Sequence, residues 1–128
     1  MSYDLEALDT GKTSDEGQWL ELENPKNSEP LDMHIKVLGK DSEAYKKQVR
    51  KNQDKNLKKG FRKLKSENLE NETIELLTAC TVDWKGIIYQ GSELEFTREN
   101  VRWLYRTYDW AKEQVDEFVG DRGNFLGE

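Results

Sequence analysis

The sequence predicts an α+β fold: a mainly helical single domain with an N-terminal β-hairpin, a short second hairpin and a long C-terminal helix. A length of 128 residues suits one domain. Apolar and polar residues alternate over residues 31–37, which is the period of a strand with one buried face. Apolar residues then recur at helical spacing over residues 101–119. Strand and helix patterns in one short chain therefore predict a core that both share.

The predicted domain begins after a polar N-terminal segment. Residues 1–17 hold few apolar side chains and predict a flexible arm, whereas residues 18–128 are expected to form the domain. An apolar cluster over residues 18–23 and the alternating residues 31–37 are separated by turn formers, so together they predict the first β-hairpin. His34 lies on the polar face of its second strand and is expected to be solvated.

A long basic helix is predicted next. Asp41 or Ser42 can cap a helix that begins at Glu43, because a short side-chain oxygen accepts a hydrogen bond from an unpaired amide of the first turn. No apolar residue occurs over residues 50–56. We therefore expect residues 43–65 to form a largely solvated helix that is frayed near its middle.

Two short elements are predicted between the basic helix and the C-terminal helix. Residues 71–82 predict a helix with one apolar face and with Cys80 at its edge as a small buried hydrophobe. A second, shorter hairpin is predicted from residues 84–89 and 94–96 around a turn at residues 90–91.

The C-terminal helix has the clearest pattern in the sequence. Thr97 can cap its first turn, and one apolar face continues over about six turns to Gly120, where a glycine commonly ends a helix. Trp103 and Trp110 share the opposite face of that helix. Tryptophans on the back of a helix indicate either a helix central to the fold or a surface that binds a partner.

Charged residues are unevenly distributed, although the net charge is only −6. Residues 46–65 carry ten basic side chains and one acid, whereas the segments before and after them are acidic. For this basic segment a solvated helix is favoured first, an acidic protein partner second and nucleic acid third. Arg98, Arg102 and Arg106 form a second basic stripe, for which a solvated face is favoured over an anion site. The candidate partner contacts are Trp103, Trp110, Lys55, Lys58, Lys59 and Arg62.

Composition excludes several functional classes. The chain has no apolar run of 18 residues and begins without a basic leader, so we expect neither a membrane span nor export. Cys80 is the single cysteine and His34 the single histidine, which excludes an internal disulfide and the usual Cys–His metal and catalytic sets. No nucleophile is paired with a base in the sequence. We therefore predict no enzymatic activity, no metal site and no cofactor.

Two series of motifs resemble proteins of tailed bacteriophages. DEGQWLEL at residues 15–22, the loop 24–31 and IKVLGKDS at residues 35–42 resemble the opening of small proteins encoded in phage morphogenesis clusters. WKGI at residues 84–87, followed by Gly91, FTREN and LY, is similar to the W-x-G-I…G…F-[ST]-x-E-N…L pattern of phage tail assembly chaperones. The resemblance implies that the motif positions determine the fold. Those positions are Trp19, Trp84, Gly86, Gly91, Phe96, Thr97 and Asn100.

The resemblance implies a non-enzymatic tail assembly chaperone that works in the cytoplasm of the infected host. Such a protein binds the long tape measure protein until tail-tube subunits polymerise around it. The sequence leaves both a monomer and a homo-oligomer as alternatives. The alternative implied by the same resemblance is a minor structural protein of the virion, in the tail or at the head–tail junction. Nucleic-acid binding through residues 46–65 ranks third. The family has no catalytic, metal or cofactor residues to carry over.

Overall fold

The computed structural model describes residues 4–59 and 66–126. Across these residues the fold is of the predicted α+β class, with five α-helices, a three-stranded antiparallel sheet and a two-stranded hairpin. Short 3-10 helices lie at Leu5–Leu8 and Arg122–Phe125. The other elements, in chain order, are α1 (Gly11–Glu16), β1 (Gln18–Glu23), β2 (Pro30–Val37), α2 (Glu43–Lys59), α3 (Ser66–Cys80), β3 (Thr81–Lys85), β4 (Ile88–Tyr89), β5 (Ser92–Glu93), α4 (Arg98–Thr107) and α5 (Asp109–Gly120).

The three-stranded sheet has the order β1–β2–β3. Strands β1 and β2 form the first predicted hairpin, in which Leu20 lies opposite Ile35. Strand β2 also pairs with β3, where Ile35 lies opposite Trp84. The first hairpin is therefore confirmed. The sequence pattern predicts a strand at Trp84 and Lys85 but assigns it to the second hairpin, so the start of β3 at Thr81 and its pairing with β2 were not predicted.

Helix α3 differs from the helix predicted over residues 71–82. It begins earlier, at Ser66, and it ends at Cys80. Thr81 and Val82 belong to β3 instead, because the backbone there pairs with the second edge of β2 and β-branched side chains suit a strand. Cys80 is buried as predicted, and burial raises the pKa of its thiol to about 12.

The second hairpin is shorter than the sequence predicted. Its strands β4 and β5 are joined by Gln90 and Gly91, which have positive φ angles of 52° and 81°. Two central residues of positive φ are typical of a tight hairpin turn. The predicted strand 84–89 is too long, because Gly86, at φ 76°, separates β3 from β4. The predicted strand 94–96 is misplaced, because the tight turn at Gln90 and Gly91 pairs β4 with Ser92–Glu93 instead.

The C-terminal helical segment is interrupted once. Thr97 caps α4 as predicted, since its hydroxyl accepts a hydrogen bond from the Asn100 N–H at 3.0 Å. Tyr108 then leaves helical geometry, with φ −115° and ψ 88°, and separates α4 from α5. After this interruption α5 packs against β1, where the Gln114 amide bonds both the N–H and the carbonyl of Glu23 at 2.8 Å.

The core is formed mainly by the three-stranded sheet and by helices α3, α4 and α5. Tyr105 is its largest fully buried side chain, and its hydroxyl lies 2.7 Å from the Thr81 hydroxyl. Burial raises the pKa of Tyr105, so the phenol stays neutral. Residues 4–59 and 66–126 contribute fifteen core residues, which are Leu20, Leu22, Ile35, Val37, Ile74, Leu77, Trp84, Ile87, Val101, Leu104, Tyr105, Ala111, Val115, Val119 and Phe125.

Part of the N-terminal segment packs on the domain, unlike the arm predicted over residues 1–17. Helix α1 buries the Ser14 side chain, and the Ser14 carbonyl accepts a hydrogen bond from the Gly39 N–H at 3.1 Å. Asp15 accepts another from the Glu43 N–H at 2.9 Å. Because Gly39 has no side chain, Ser14 can approach its backbone closely. The predicted arm is therefore too long.

The basic segment forms a helix over the described part of the predicted range 43–65. Helix α2 ends at Lys59, and residues 60–65 lie outside the described residues. Ser42, rather than Asp41, caps α2, since the Ser42 hydroxyl accepts a hydrogen bond from the Tyr45 N–H at 3.2 Å. A capped basic helix is therefore confirmed over the described residues.

The middle of α2 is largely exposed, as expected from the absence of apolar residues over residues 50–56. It is not frayed, because α3 packs alongside it. The Asn52 side chain donates to the Glu72 carbonyl at 3.4 Å, and the Gln48 amide donates to Asn52 at 3.1 Å. Polar side chains therefore connect α2 to α3 where apolar burial is missing.

Candidate partner-binding surface

Four aromatic side chains pack edge to face in a continuous series, which we call the aromatic patch: Tyr89, Trp103, Tyr108 and Trp110. The ring centroids are 4.7 Å apart for Tyr89 and Trp103, 5.7 Å for Trp103 and Tyr108, and 6.3 Å for Tyr108 and Trp110. Such edge-to-face pairs are among the favoured arrangements of aromatic rings. The aromatic patch thus joins β4 to α4 through Tyr89 and Trp103, and α4 to α5 through Tyr108.

An apolar cavity of about 140 Å³ opens beside the aromatic patch. A cavity of about 150 Å³ can hold a benzene-sized group, so this one suits a single apolar side chain of a partner. At its rim Ile88 is 51% exposed, and Tyr89 is also exposed. The lining residues are Leu22, Met33, Ile87, Ile88, Tyr89, Leu104, Tyr108 and Trp110.

The predicted tryptophans both belong to the aromatic patch, but not in the predicted arrangement. The sequence placed Trp103 and Trp110 on the back of one helix. They lie instead on α4 and α5, on either side of the interruption, and both are half-buried against the core. Tyr108 connects them because it leaves helical geometry, and Tyr89 joins them from the second hairpin. Sequence periodicity did not indicate either tyrosine, because Tyr108 has the same helical spacing as the core residues Leu104 and Ala111, and Tyr89 lies outside the helical segment.

The predicted basic contacts lie on or beyond α2. Lys55 and Lys58 are exposed on this helix, and neither lines the cavity beside the aromatic patch. Lys59 is the last residue of α2. Arg62 lies outside the described residues. Of the predicted basic contacts, Lys55 and Lys58 are therefore absent from the lining that includes Trp110.

Three of the motif residues connect the sheet to the second hairpin and to α4. Trp84 packs edge to face on Phe96, with ring centroids 5.3 Å apart, and its indole N–H donates to the Leu94 carbonyl at 2.9 Å. Gly86 lies against β2, where an added Cβ would be 2.5 Å from the carbonyl oxygen of Asp32. A larger residue at this position would have to move the backbone.

The remaining motif residues have local contacts. The Asn100 side chain donates to the Glu95 carbonyl at 2.8 Å, beside the cap of α4, and Gly91 completes the turn between β4 and β5. The Trp19 ring lies on β1 beneath the Lys85 ammonium, 4.6 Å from the ring centroid, at a distance typical of a cation–π contact. None of the seven positions named as fold-determining lines the cavity beside the aromatic patch, whereas Leu22, Ile87 and Leu104 of the same motif series do.

His34 lies between two carboxylates on the first hairpin. Its Nε2 is 3.8 Å from Glu21 and its Nδ1 is 3.9 Å from Asp32. Potential ligand atoms of these three residues lie within 4.8 Å of one another, so they could together hold a metal ion. Both carboxylates are exposed and each faces a different ring nitrogen, an arrangement that also suits ion pairs with a protonated imidazole.

No helix within residues 4–59 and 66–126 is both long and apolar enough to cross a membrane. Comparison of the chain with protein-family models, with curated proteins and with solved structures finds no match. The function is therefore inferred from the contacts of the chain's own residues and from its sequence motifs.

Proposed function

We propose that the protein is a non-enzymatic tail assembly chaperone, which binds an apolar helical segment of a phage tape measure protein in the host cytoplasm. The observation that carries the proposal is the aromatic patch with its apolar cavity. A helix presents apolar side chains at intervals of three and four residues, so one of them can enter the cavity while its neighbours lie on the rings. The resemblance of the sequence motifs to tail assembly chaperones supports the same partner.

The lining of the cavity favours binding over catalysis. Among the described residues that line it, the hydroxyls of Tyr89 and Tyr108 are the only titratable groups. Burying a Leu or Ile side chain contributes about 1.5–3 kcal/mol, and part of that is offset by the entropy lost on association. A few such contacts give a complex that tail-tube subunits can displace, as an assembly factor requires.

Co-expression with the tape measure protein of the same phage tests the proposal. The protein should increase the soluble fraction of the tape measure, and Ile88→Asp should reduce that effect because a charge then stands at the rim of the cavity. Leu8→Asp is the matched control, because the exposed fractions of Leu8 and Ile88 are similar, at 48% and 51%. Leu8 belongs to the N-terminal 3-10 helix and does not line the cavity. Circular dichroism would verify that both variants are folded.

Two outcomes would contradict the proposal. One is a tape measure protein that is equally soluble with and without this chain. The other is an equal loss of effect in both variants, which would mean that the aromatic patch is not the binding surface. Mass spectrometry of purified particles separates the chaperone from a virion component, because stoichiometric presence in mature particles would support the structural alternative.

A further inference from the structure

A second cleft, of about 300 Å³, lies between α2, α3 and α4 and is lined mainly by charged and polar side chains. Lys47 and Lys51 come from α2, and Arg98 and Arg102 come from α4. We call this the basic cleft. Among the described residues that line it, Glu75 of α3 is the single acid, so the cleft keeps a surplus of positive charge in a protein whose net charge is −6.

The two arginines are held in fixed positions on the wall of the basic cleft. Arg102 donates from Nε and Nη2 to the two carboxylate oxygens of Glu75, at 2.8 and 3.3 Å. Arg98 donates from Nη1 to the Thr78 carbonyl at 3.0 Å. A guanidinium has five N–H donors, so both side chains keep further donors for a ligand. Because these contacts already orient the groups, binding costs less side-chain entropy than it would for unrestrained arginines.

The two lysines supply charge that no neighbouring acid neutralises. Lys47 and Lys51 are exposed, and in the described part of the chain neither side chain forms a hydrogen bond or an ion pair. Their spacing of four residues places both ammonium groups on one face of α2, the face that lines the basic cleft. Folding therefore brings two unpaired ammonium groups to a wall opposite two oriented guanidinium groups.

We propose that the basic cleft binds a compact phosphate-type oxyanion that carries at least two negative charges, such as a pyrophosphate group. Guanidinium groups recognise phosphate oxygens through paired N–H donors, and the lysines add point charges. A single carboxylate would leave most of the positive charge uncompensated. An extended polyanion such as duplex DNA is disfavoured because the chain as a whole carries a net charge of −6.

Isothermal titration calorimetry of the full chain with inorganic pyrophosphate at low salt tests the proposal. Lys47→Gln/Lys51→Gln should weaken binding at least about tenfold, since two charge-assisted contacts are lost. Lys55→Gln/Lys58→Gln is the matched control. It removes the same charge from the same helix at exposed positions outside the cleft, and it should change the affinity by less than about twofold.

Further arms of the titration identify the source of the oxyanion. A nucleoside triphosphate that binds as tightly as inorganic triphosphate indicates that the phosphate chain alone is recognised, and tighter binding indicates a nucleotide. Three results would overturn the proposal: no binding of wild type at millimolar pyrophosphate, equal losses in the two double variants, or binding of duplex DNA without binding of pyrophosphate.

Discussion

The apolar core and helix α2 are stabilised in different ways. All fifteen core residues lie outside α2, most of them in the sheet and in α3, α4 and α5. Among the described side chains of α2, Tyr45 is the one that packs partly against the core. The rest of that helix packs alongside α3, with its cap at Ser42 and the hydrogen bond from Asn52 to Glu72 as polar contacts.

The core is therefore stabilised mainly by apolar burial and α2 more by polar contacts, and each region presents a different kind of surface. Burial of apolar side chains makes the core cooperative, so its elements are expected to unfold together. Helix α2 depends on packing alongside α3 and on a cap and polar contacts, and each of these polar interactions contributes about 1 kcal/mol. Because α2 is not buried, its lysines stay in water, where they can meet an anionic ligand. The aromatic patch, in contrast, is built directly on the core.

The largest expected effect is a decrease in the free energy of unfolding when a buried core side chain is shortened. Shortening an exposed side chain of α2 should have no comparable effect. Leu77→Ala should lower the free energy of unfolding by about 2–5 kcal/mol, because Leu77 is 0% exposed and the substitution leaves a cavity. Leu57→Ala, at a residue of α2 that is 65% exposed, should change it by less than about 0.5 kcal/mol. Urea denaturation followed by circular dichroism measures both. Similar losses in the two variants would show that α2 is part of the cooperative core.

A smaller effect is expected from removing the helix caps. Thr97→Ala and Ser42→Ala each delete one hydroxyl that accepts a backbone N–H bond, at a cost of about 0.5–2 kcal/mol. Hydrogen exchange should report the two losses differently. Thr97→Ala should accelerate exchange in all core helices together, because α4 opens only with the core. Ser42→Ala should accelerate exchange severalfold in α2 alone.

The alternative outcome of the exchange experiment is equally informative. If Ser42→Ala accelerates exchange in α4 as much as in α2, the two regions open as one unit and the distinction between them is lost.

The smallest effect concerns an ion pair near the start of α2. The Arg122 guanidinium and the Thr10 hydroxyl bond the Asp41 carboxylate and lower its pKa from 3.8 to about 2. Since the pKa is lower in the folded state, the stabilisation is present above about pH 4 and is lost as the pH falls through about 2. The difference in urea midpoint between wild type and Asp41→Asn should therefore shrink between pH 4 and pH 2. A constant difference would show that the pair does not stabilise the fold electrostatically.

The local elements of the fold could be predicted from the sequence because their signals lie within a few residues. Strand alternation predicts β2, and the Thr97 cap predicts the start of α4. The third strand could not be predicted in the same way. Thr81 and Val82 fit the end of a helix or the start of a strand, and the pairing of β3 with β2 decides between them.

For the candidate sites too, the sequence predicted local features but not the contacts between distant elements. The sequence identified Trp103 and Trp110 as unusual, and it identified separate basic stripes on α2 and α4. It did not predict that Tyr89 would extend the aromatic patch from the second hairpin. Nor did it predict that Lys47 and Lys51 would face Arg98 and Arg102 across the basic cleft, because these pairs are about fifty residues apart in the chain.

The sequence by itself determined the α+β class, the polar and basic character of α2 and the apolar stripes of α4 and α5, because periodicity and caps act between residues close in the chain. Only the tertiary structure decided the interruption at Tyr108, the packing of α1 and the meeting of α2 with α4. Each of these depends on contacts between distant residues, such as Gln114 with Glu23 and Ser14 with Gly39. Such contacts form only when the elements pack together, and both candidate sites depend on that packing.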